Sequence, residues 1–490
     1  MSKAFPAVDA VRPGGAPDRT GRHANTTLIV LFLSLAGLAF AVLQSLVAPA
    51  LPAIAKDFHT NTGGISWILT AYLLAASVLT PVLGRLGDMI GKRRVLLMVL
   101  LVLAAGTLLA ALAPNLPVLI LARVLQGAAG GILPLSISIV RDELPREHVG
   151  VTVGILSAIF GVGGGLGIAL AGPIVDHLSW PWLFWLPLIL VVIAIIGVAF
   201  GVPESPIRTP GRIDFLGAGV LSAGLVALLL GITKGRDWGW SGASTLTLLI
   251  AGVVILVAFA LVELRVKEPL IDMRLMRMRG VWTTNLSGLV LGFIMFGVFL
   301  LIPTLLELPA QTGYGFGKSV TGAGLFLLPT VGAMLVFAPL SGLLDKRFGP
   351  KLPLFLGSLA VAVGFVILAI GHKSAASLLA ALIISGAGIG LALAAMSNAI
   401  IEAVPRTHTG EATSVNQIAR EIGGSIGTAV VAAVISSKST AQGLPLNAGF
   451  THGFWVCAGV GVLGMLAVAA LPSARRRHAD AIAAGVEDLI

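Results

Sequence analysis

Fourteen long apolar stretches follow one another along this sequence, each close to the length of a membrane-spanning helix. An α-helix needs about 20 mostly apolar residues to cross the hydrocarbon core of a bilayer. Because lipid offers the backbone no hydrogen-bond partners, each stretch is expected to be helical. The predicted helices 1 to 14 cover residues 27–50, 64–84, 95–114, 117–139, 149–173, 182–203, 213–232, 245–262, 283–308, 320–344, 353–371, 376–399, 410–437 and 450–472. The sequence therefore predicts an all-α membrane protein.

The composition excludes a soluble fold and most catalytic architectures. Only 11% of the 490 residues are charged, whereas soluble domains carry roughly 25%. A single cysteine, Cys457, excludes a disulfide framework and any metal site built from several cysteines. The sparse histidines show no metal-ligand spacing, and no clustered catalytic set stands out. We expect neither an enzyme nor a bound cofactor or metal.

The positions of the basic residues set the predicted orientation. With a cytoplasmic N-terminus, 24 of the 32 Lys and Arg residues lie in cytoplasmic segments and six lie in outer loops. This bias follows the positive-inside rule. We therefore expect a multi-pass protein of the cell (inner) membrane with both termini in the cytoplasm. The net charge of +10 is then a topological feature, and no nucleic-acid partner is expected.

The predicted helices divide into two comparable halves. We expect a cytoplasmic tail at 1–24, an N-terminal six-helix bundle at 25–203, an inserted helix pair with a cytoplasmic connector at 204–282, a C-terminal six-helix bundle at 283–473 and a second cytoplasmic tail at 474–490. Short basic turns at matching places in the two halves, residues 84–94 and 342–351, indicate an internal repeat. Repeats of this kind place the substrate site at their interface, near the middle of the membrane.

Several motifs resemble those of the major facilitator superfamily. The turn from Gly84 to Arg94 (GRLGDMIGKRR) is similar to the family's loop motif G-x-x-x-D-x-x-G-R/K-R/K. RVLQG in helix 4, the glycine-rich stretch of helix 5 and GEATSVNQIAREIGGSIG in helix 13 resemble the fourteen-helix drug:proton antiporter branch. The resemblance implies the major facilitator fold, with two six-helix bundles and an inserted helix pair. It also implies a small-molecule substrate, protons and lipid as partners.

Three positions depart from the pattern of that branch. Helix 1 has Gln44 where the branch has an aspartate, so the usual proton site is missing. The Gly-Pro pair of helix 5 is Gly167-Ile168, and the W-R-W before helix 6 is Trp180-Pro181-Trp182. The first departure leaves open whether and where protons couple to transport.

Five residues of the basic turn are candidates for a conformational latch. They are Gly84, Asp88, Gly91, Lys92 and Arg93. A carboxylate at Asp88 can pair with nearby cations and with a helix N-terminus. If such contacts form in only one transport state, they bias alternating access. The alternative is a turn that only sets topology, in which Asp88 offsets charge.

Arg123 in helix 4 is a candidate coupling residue, together with Gln126 and Gln44. A charge inside a span is costly and is expected to face a cavity or a partner. Arg123 and Gln44 both lie roughly 9 Å from the outer surface by helical rise, so a contact between them is possible. The alternative for Arg123 is snorkelling of the side chain to the outer surface.

Asn416, Arg420 and Glu421 are the candidate coupling residues of helix 13. By helical spacing, Asn416 and Arg420 share one face, whereas Gln417 and Glu421 share another. Glu421 is the deepest acid in the sequence and is the candidate replacement for the missing acid of helix 1. Burial of a carboxyl group favours its neutral form, as proton uptake requires. The alternative is a structural polar pair that links helices.

The glycines of helix 5 indicate close helix packing. Gly161, Gly163, Gly165, Gly167 and Gly172 lie in a run with overlapping G-x-x-x-G spacings. Such spacings let two helices approach closely or bend. A close contact between the halves can also serve as a hinge or a seal.

These features predict a secondary active exporter of drug-like amphiphiles or secreted metabolites, driven by proton antiport. A nutrient or lipid transporter of the same superfamily, not necessarily proton-coupled, is one alternative, and a membrane sensor or scaffold is another. GYGFGKS, residues 313–319, resembles a phosphate-binding loop. It lacks the first glycine and a preceding strand, so no nucleotide partner is expected. Substrate identity and charge, stoichiometry and oligomeric state stay open.

Overall fold

The computed structural model describes residues 26–208, 214–266, 268–438 and 445–471. The two predicted tails, 1–24 and 474–490, lie outside this part of the chain. Within it, 14 helices are long and apolar enough to cross a membrane. We number them α1 to α14 in chain order.

The helix bounds are close to the predicted spans. The helices are α1 Thr26–Asp57, α2 Trp67–Ile90, α3 Lys92–Ala111, α4 Leu116–Glu143, α5 Arg146–His177, α6 Trp182–Gly201, α7 Phe215–Trp238, α8 Ala243–Glu263, α9 Arg279–Glu307, α10 Val320–Phe348, α11 Lys351–Gly371, α12 Ala375–Ala403, α13 Thr409–Ser436 and α14 Asn447–Ala469. Most extend beyond the predicted spans, because hydropathy marks only the apolar part of a helix whose polar ends stay helical. Short helices at Thr62–Ile65 and Met273–Met276 lie between spans.

Helix α4 is not one continuous α-helix. A 3₁₀ segment at Gly127–Gly131, with the sequence GAAGG, separates Leu116–Gln126 from Ile132–Glu143. In this segment a Cβ on Gly127 would lie 2.8 Å from the backbone nitrogen of Ala76 in α2. Glycine therefore permits α4 and α2 to touch at the break. A 3₁₀ stretch inside a helix is often a hinge.

Two separate hydrophobic cores follow the two halves of the chain. The first is built mainly from buried residues between Ile29 and Val202. The second is built from buried residues between Val290 and Leu471. The halves meet along four helix pairs, α5 with α10, α5 with α12, α2 with α13 and α4 with α13. Functional side chains at these seams can therefore respond to relative movement of the halves.

The inserted helices α7 and α8 lie against one of these seams. Helix α7 packs on both α2 and α13, and a small core joins Leu221 and Leu225 of α7 to Ile418 of α13. At the opposite end of α7, the buried Lys234 ammonium donates to the hydroxyl of Ser66, which precedes α2 (2.6 Å). The pair thus contacts both halves and covers the α2–α13 seam.

Candidate functional site

Asp88 and Gly84 of α2 join the halves at the predicted cytoplasmic end. The Asp88 carboxylate accepts a hydrogen bond from the backbone N–H of Glu411, in the first turn of α13 (3.3 Å). It also forms an ion pair with Lys92 (3.7 Å). The dipole of a helix stabilises a carboxylate at its N-terminus. A Cβ on Gly84 would lie 2.7 Å from the carbonyl oxygen of Gly410, so glycine permits this approach.

The other three predicted latch residues contact partners in their own half. Lys92 is buried and binds the carboxylate of Asp142 in α4. Arg93 donates to backbone carbonyl oxygens at the end of α6. Gly91 links α2 to α3 with φ +120°, a conformation that disfavours other residues. These contacts hold the turn rigid behind Asp88.

Helix α10 repeats the arrangement of α2 in the second half. A Cβ on Gly342 would lie 2.7 Å from the Cα of Val151 in α5, so α10 touches the first half as α2 touches the second. Gly349, which follows α10, also has a positive φ of 75°. The predicted internal repeat is thus visible in the geometry of both turns.

Arg141, at the end of α4, forms a further clamp between the halves. Its guanidinium donates to the carbonyl oxygens of Val404 (2.7 Å) and Pro405 (3.2 Å), which follow α12. It also donates to the hydroxyl of Thr409, where α13 begins (2.7 Å). Arg141 is not among the predicted site residues, because topology alone explains a basic residue at a cytoplasmic helix end. Its partners in the other half are more than 260 residues away, so the sequence around Arg141 does not indicate them.

Arg123 lies inside the first half, with no side-chain exposure (0%). Its guanidinium donates to the Ile68 carbonyl oxygen (3.2 Å) and to the Gln126 side-chain oxygen (2.7 Å). It also lies over the Tyr72 ring, 4.3 Å from the ring centre. Gln126 donates in turn to the Thr107 hydroxyl (3.2 Å). Arg123 therefore faces protein partners, and snorkelling to the outer surface does not occur in this structure.

The contact between Gln44 and Arg123 that similar depth allowed is not formed. Within the described residues, the hydrogen bonds of Arg123 go to Ile68 and Gln126. Gln44 lies half-buried on α1, which packs mainly on α5 and α6. Equal depth in the membrane does not determine which way each side chain points around its helix axis.

Glu421 connects the two halves near the middle of the α2–α13 seam. Its carboxylate accepts a hydrogen bond from the Ser77 hydroxyl of α2 (3.1 Å). It accepts a second from the side-chain amide of Gln417, one turn earlier on α13 (3.0 Å). Only 5% of Glu421 is exposed. A titratable group thus takes part in a buried hydrogen bond between the halves.

The side chains of Arg420 and Asn416 contact α5 and α9 respectively, whereas that of Glu421 contacts α2. Arg420 donates to the side-chain oxygen of Gln417 and lies over the Phe160 ring of α5, 5.3 Å from its centre. Asn416 donates to the backbone oxygen of Thr284 in α9 (3.2 Å). Gln417 therefore bridges Arg420 and Glu421, whose side chains diverge as helical spacing predicts.

A small cavity lies beside Arg420, between α4, α12 and α13. Its walls are formed by Leu133, Pro134, Ile137, Ser397, Ile400, Thr413, Asn416, Gln417 and Arg420. Five of these nine residues are polar or charged, and the cavity volume of about 10 Å³ is enough for roughly one water molecule. In the described part of the chain, no group of three or more His, Cys, Asp or Glu residues is placed to hold a metal ion.

The predicted packing glycines of α5 serve two different neighbours. Gly161, Gly165 and Gly172 face α10 across the boundary between the halves. Gly163 and Gly167 face α1 within the first half. At each of the five, a Cβ would lie within 2.6 Å of a neighbouring atom. At Gly167 and Gly172 backbone atoms also lie 2.7 Å away, so the close approach there depends on glycine.

Comparison with known sequences places this arrangement in a family. The Major Facilitator Superfamily profile matches residues 28–428 and 287–487. The multidrug transporter protein MdtP of Bacillus subtilis is 30% identical over 429 residues, which cover 86% of this chain and 77% of MdtP. The tetracenomycin C resistance and export protein of Streptomyces glaucescens is 28% identical, over 81% of this chain and 73% of that protein.

Solved structures of transporters share the fold. The proton:xylose symporter XylE superposes with a TM-score of 0.63 over 91% of this chain and 96% of XylE, at 16% identity. The human organic anion transporter MFSD10 superposes with a TM-score of 0.60 over 90% of this chain and 98% of that protein, at 18% identity. These relatives and structural neighbours are transporters and not enzymes. With the two repeated halves and the paired seams, the profile match shows that the chain belongs to the major facilitator superfamily.

Proposed function

We propose that this protein is a secondary active exporter of amphiphilic small molecules, driven by proton antiport. The names of MdtP and of the tetracenomycin C export protein, both similar over most of the chain, support an export role. The same names support a small-molecule cargo. In this account the two six-helix bundles, 25–203 and 283–473, rock against each other and α7–α8 move as an inserted pair.

The observation that carries proton coupling is the bond between Glu421 and Ser77. A buried carboxylate needs its hydrogen-bond donors, because an unpaired charge away from water is costly. Protonation removes the charge and weakens the need for the Ser77 donor across the seam. Proton binding therefore changes the relative stability of the two arrangements of α2 and α13. In this role Glu421 replaces the missing acid of helix 1, where this chain has Gln44. The alternative is that Arg420 and Glu421 form a structural polar pair that links helices.

The end of the molecule that carries the basic turn 84–94 is called the basic end. The contacts there support a latch that closes one face of the transporter. Asp88 with the α13 N-terminus, and Arg141 with the segment from Val404 to Thr409, bind the halves together there. Because the basic end is predicted to be cytoplasmic, we assign the structure to a conformation closed toward the cytoplasm. The same bias places both termini in the cytoplasm and the protein in the inner membrane.

Proton movement in inside-out vesicles tests this function. Vesicles carrying the protein are acidified inside by respiration, and a pH-sensitive dye reports the lumen. A panel of cationic, neutral and anionic amphiphiles is then added. We expect at least one compound to trigger proton release with the wild-type protein, and Glu421→Gln to abolish that release.

The matched control is Glu307→Gln, which removes an exposed acid at the C-terminal end of α9. It is expected to leave proton release unchanged. Proton release that persists in Glu421→Gln would rule out Glu421 as the carrier. Accumulation of a compound in the vesicles without proton release would contradict antiport itself.

A further inference from the structure

Arg123 is a buried cation without an acidic partner. Its guanidinium is 0% exposed, and no carboxylate of the described residues forms an ion pair with it within 4.0 Å. Its Nη2 atom and the hydroxyl of Tyr72 both lack hydrogen-bond partners in the described part of the chain. A buried donor without an acceptor is costly, and more so when it is charged. The described residues therefore provide no hydrogen-bond acceptor for either group.

The charges of the membrane interior do not balance. Arg123 and Arg420 lie deep within their spans, whereas Glu421 is the one acid of the described residues at comparable depth. Buried charges are stable when they are paired. One additional negative charge would therefore balance the interior when Glu421 is ionised.

Aromatic rings connect the two guanidinium groups. Tyr72, under Arg123, lies 6.4 Å from Phe40 between ring centres, and Phe40 lies 5.0 Å from Phe160. Phe160 lies under Arg420. The three rings are buried, so the row is an apolar strip of the packed core between two cationic ends. The 3₁₀ break of α4 begins one residue after Gln126, so a hinge lies next to Arg123.

We propose that Arg123 and Tyr72 bind the acidic group of an anionic amphiphile whose apolar body lies along Phe40 and Phe160. This inference rests on the proposed export function and names its substrate class as organic anions. The bound anion accepts hydrogen bonds from Nη2 of Arg123 and from the Tyr72 hydroxyl. Opening at the α4 break exposes the two groups to the cavity. Cationic amphiphiles are excluded, because two guanidinium groups repel them.

This assignment is compatible with proton antiport. With Glu421 ionised and the anion bound, the two guanidinium groups are balanced, so the loaded interior moves outward as a neutral unit. The return step carries a proton and excess positive charge inward, which a negative-inside membrane potential favours. Export of an anion by this route is therefore electrogenic.

Binding of three naphthyl amphiphiles to the purified full-length protein tests the site. Naphthylacetate, naphthylacetamide and naphthylethylammonium share an aromatic body and differ in charge. Calorimetric titration in detergent is expected to rank the affinities anion first, amide second and ammonium last. Arg123→Gln should weaken naphthylacetate binding by about 10- to 100-fold, as expected for loss of a charged hydrogen bond. It should leave naphthylacetamide binding unchanged.

Three further variants separate recognition from folding. Arg123→Lys should retain most of the preference for the anion, and Tyr72→Phe should lose part of it. Gln44→Glu places a negative charge one turn from Phe40 on α1 and should reverse the order of anion and ammonium. A monodisperse protein with an unchanged Tm is required of each variant.

Three outcomes would overturn the proposal. These are equal affinities, no heat of binding for naphthylacetate at millimolar concentration, and an equal loss of anion and amide binding in Arg123→Gln. Each would leave the export function standing, because the titration does not require transport. Conversely, Arg123-dependent binding of naphthylacetate without any flux in vesicles would overturn export and leave the site intact.

Discussion

Arg141 shows how a single side chain can hold one transport state. Its three hydrogen bonds reach the segment between α12 and α13, in the half opposite to its own helix. Hydrogen bonds from a charged donor contribute about 1.5–3 kcal/mol each. Because the partners belong to the other half, these bonds are lost when the predicted cytoplasmic end opens. They therefore stabilise the closed conformation and not the fold of either half.

Removal of this guanidinium should open the basic end more often. Arg141→Ala is expected to increase the open population by at least about tenfold, since a loss of 1.4 kcal/mol already does so. A cysteine at Ser397, in the cavity wall, reports opening through its rate of reaction with a membrane-impermeant maleimide. The experiment uses a Cys457→Ala background. The exposed Arg146→Ala serves as the control, and an equal rate in both variants would contradict a clamp at Arg141.

The residues also show what sequence reasoning reaches at this scale. Charges at improbable depth, such as Arg123 and Glu421, are identified because the cost of burial is general. Their partners are not, since the rotation of each helix about its axis decides which neighbour a side chain meets. Tyr72 and Ser77 are ordinary residues in a span until packing places them beside those charges. The contact of Gln44 with Arg123, which similar depth made possible, is absent for the same reason.

Helix α5 packs closely on α10, across the boundary between the halves, and on α1, within the first half. Three of its glycines face α10 and two face α1. A Cβ on Gly167 would lie 2.7 Å from the backbone oxygen of Val42 in α1. Backbone cannot give way as a flexible side chain can, so the contact tolerates no added methyl group without separation of the helices.

Gly167→Ala should therefore destabilise the protein by about 1–3 kcal/mol, the usual cost of overpacking a dense core. The control is Gly37→Ala in α1, where a Cβ would meet nothing within 4 Å. Alanine is the better helix former, so that variant should be neutral or slightly more stable. Thermal unfolding of the purified variants measures both effects. A Tm for Gly167→Ala at or above the wild-type value would show that α1 and α5 do not pack as described.

The sequence predicts the presence of each helix better than its internal breaks and its ends. All fourteen spans are predicted, because their length and hydropathy follow from the thickness of the bilayer. The break in α4 is not predicted, although GAAGG marks it. Five small residues inside an apolar stretch do not change its hydropathy enough to mark a break. The packing of α2 against them, which favours the 3₁₀ turn, cannot be read from the local sequence. Helix ends are also missed by several residues where polar turns continue the helix.

At the scale of the molecule, the proposed mechanism requires the two halves to separate at one end. Asn398 of α12 donates to the backbone oxygen of Gly150 in α5 (3.2 Å). A Cβ on Gly150 would lie 3.9 Å from the Cγ of Asn398, so paired cysteines lie within reach of a disulfide. The Gly150→Cys/Asn398→Cys protein, without Cys457, should lose transport on oxidation and regain it on reduction.

A pair inside one half provides the control for that cross-link. Ser358 of α11 and Gly464 of α14 both lie in the second half, and a Cβ on Gly464 would lie 3.7 Å from the Cβ of Ser358. Oxidation of Ser358→Cys/Gly464→Cys should leave transport intact, because the link spans no moving boundary. Full transport by the oxidised 150/398 pair, with the disulfide shown by mass spectrometry, would contradict rocking of the halves about this seam.

The central claim is that a proton gradient drives export through a proton site at Glu421. The most direct measurement is uphill movement of the three naphthyl amphiphiles into proteoliposomes that hold the purified protein in inside-out orientation and an acidic lumen. We expect at least one compound to accumulate with the wild-type protein above the level in protein-free liposomes, where the amine enters an acidic lumen passively. This excess should disappear when an ionophore collapses the pH gradient and should be absent in Glu421→Gln. Equal accumulation in wild type, Glu421→Gln and protein-free liposomes would contradict the account.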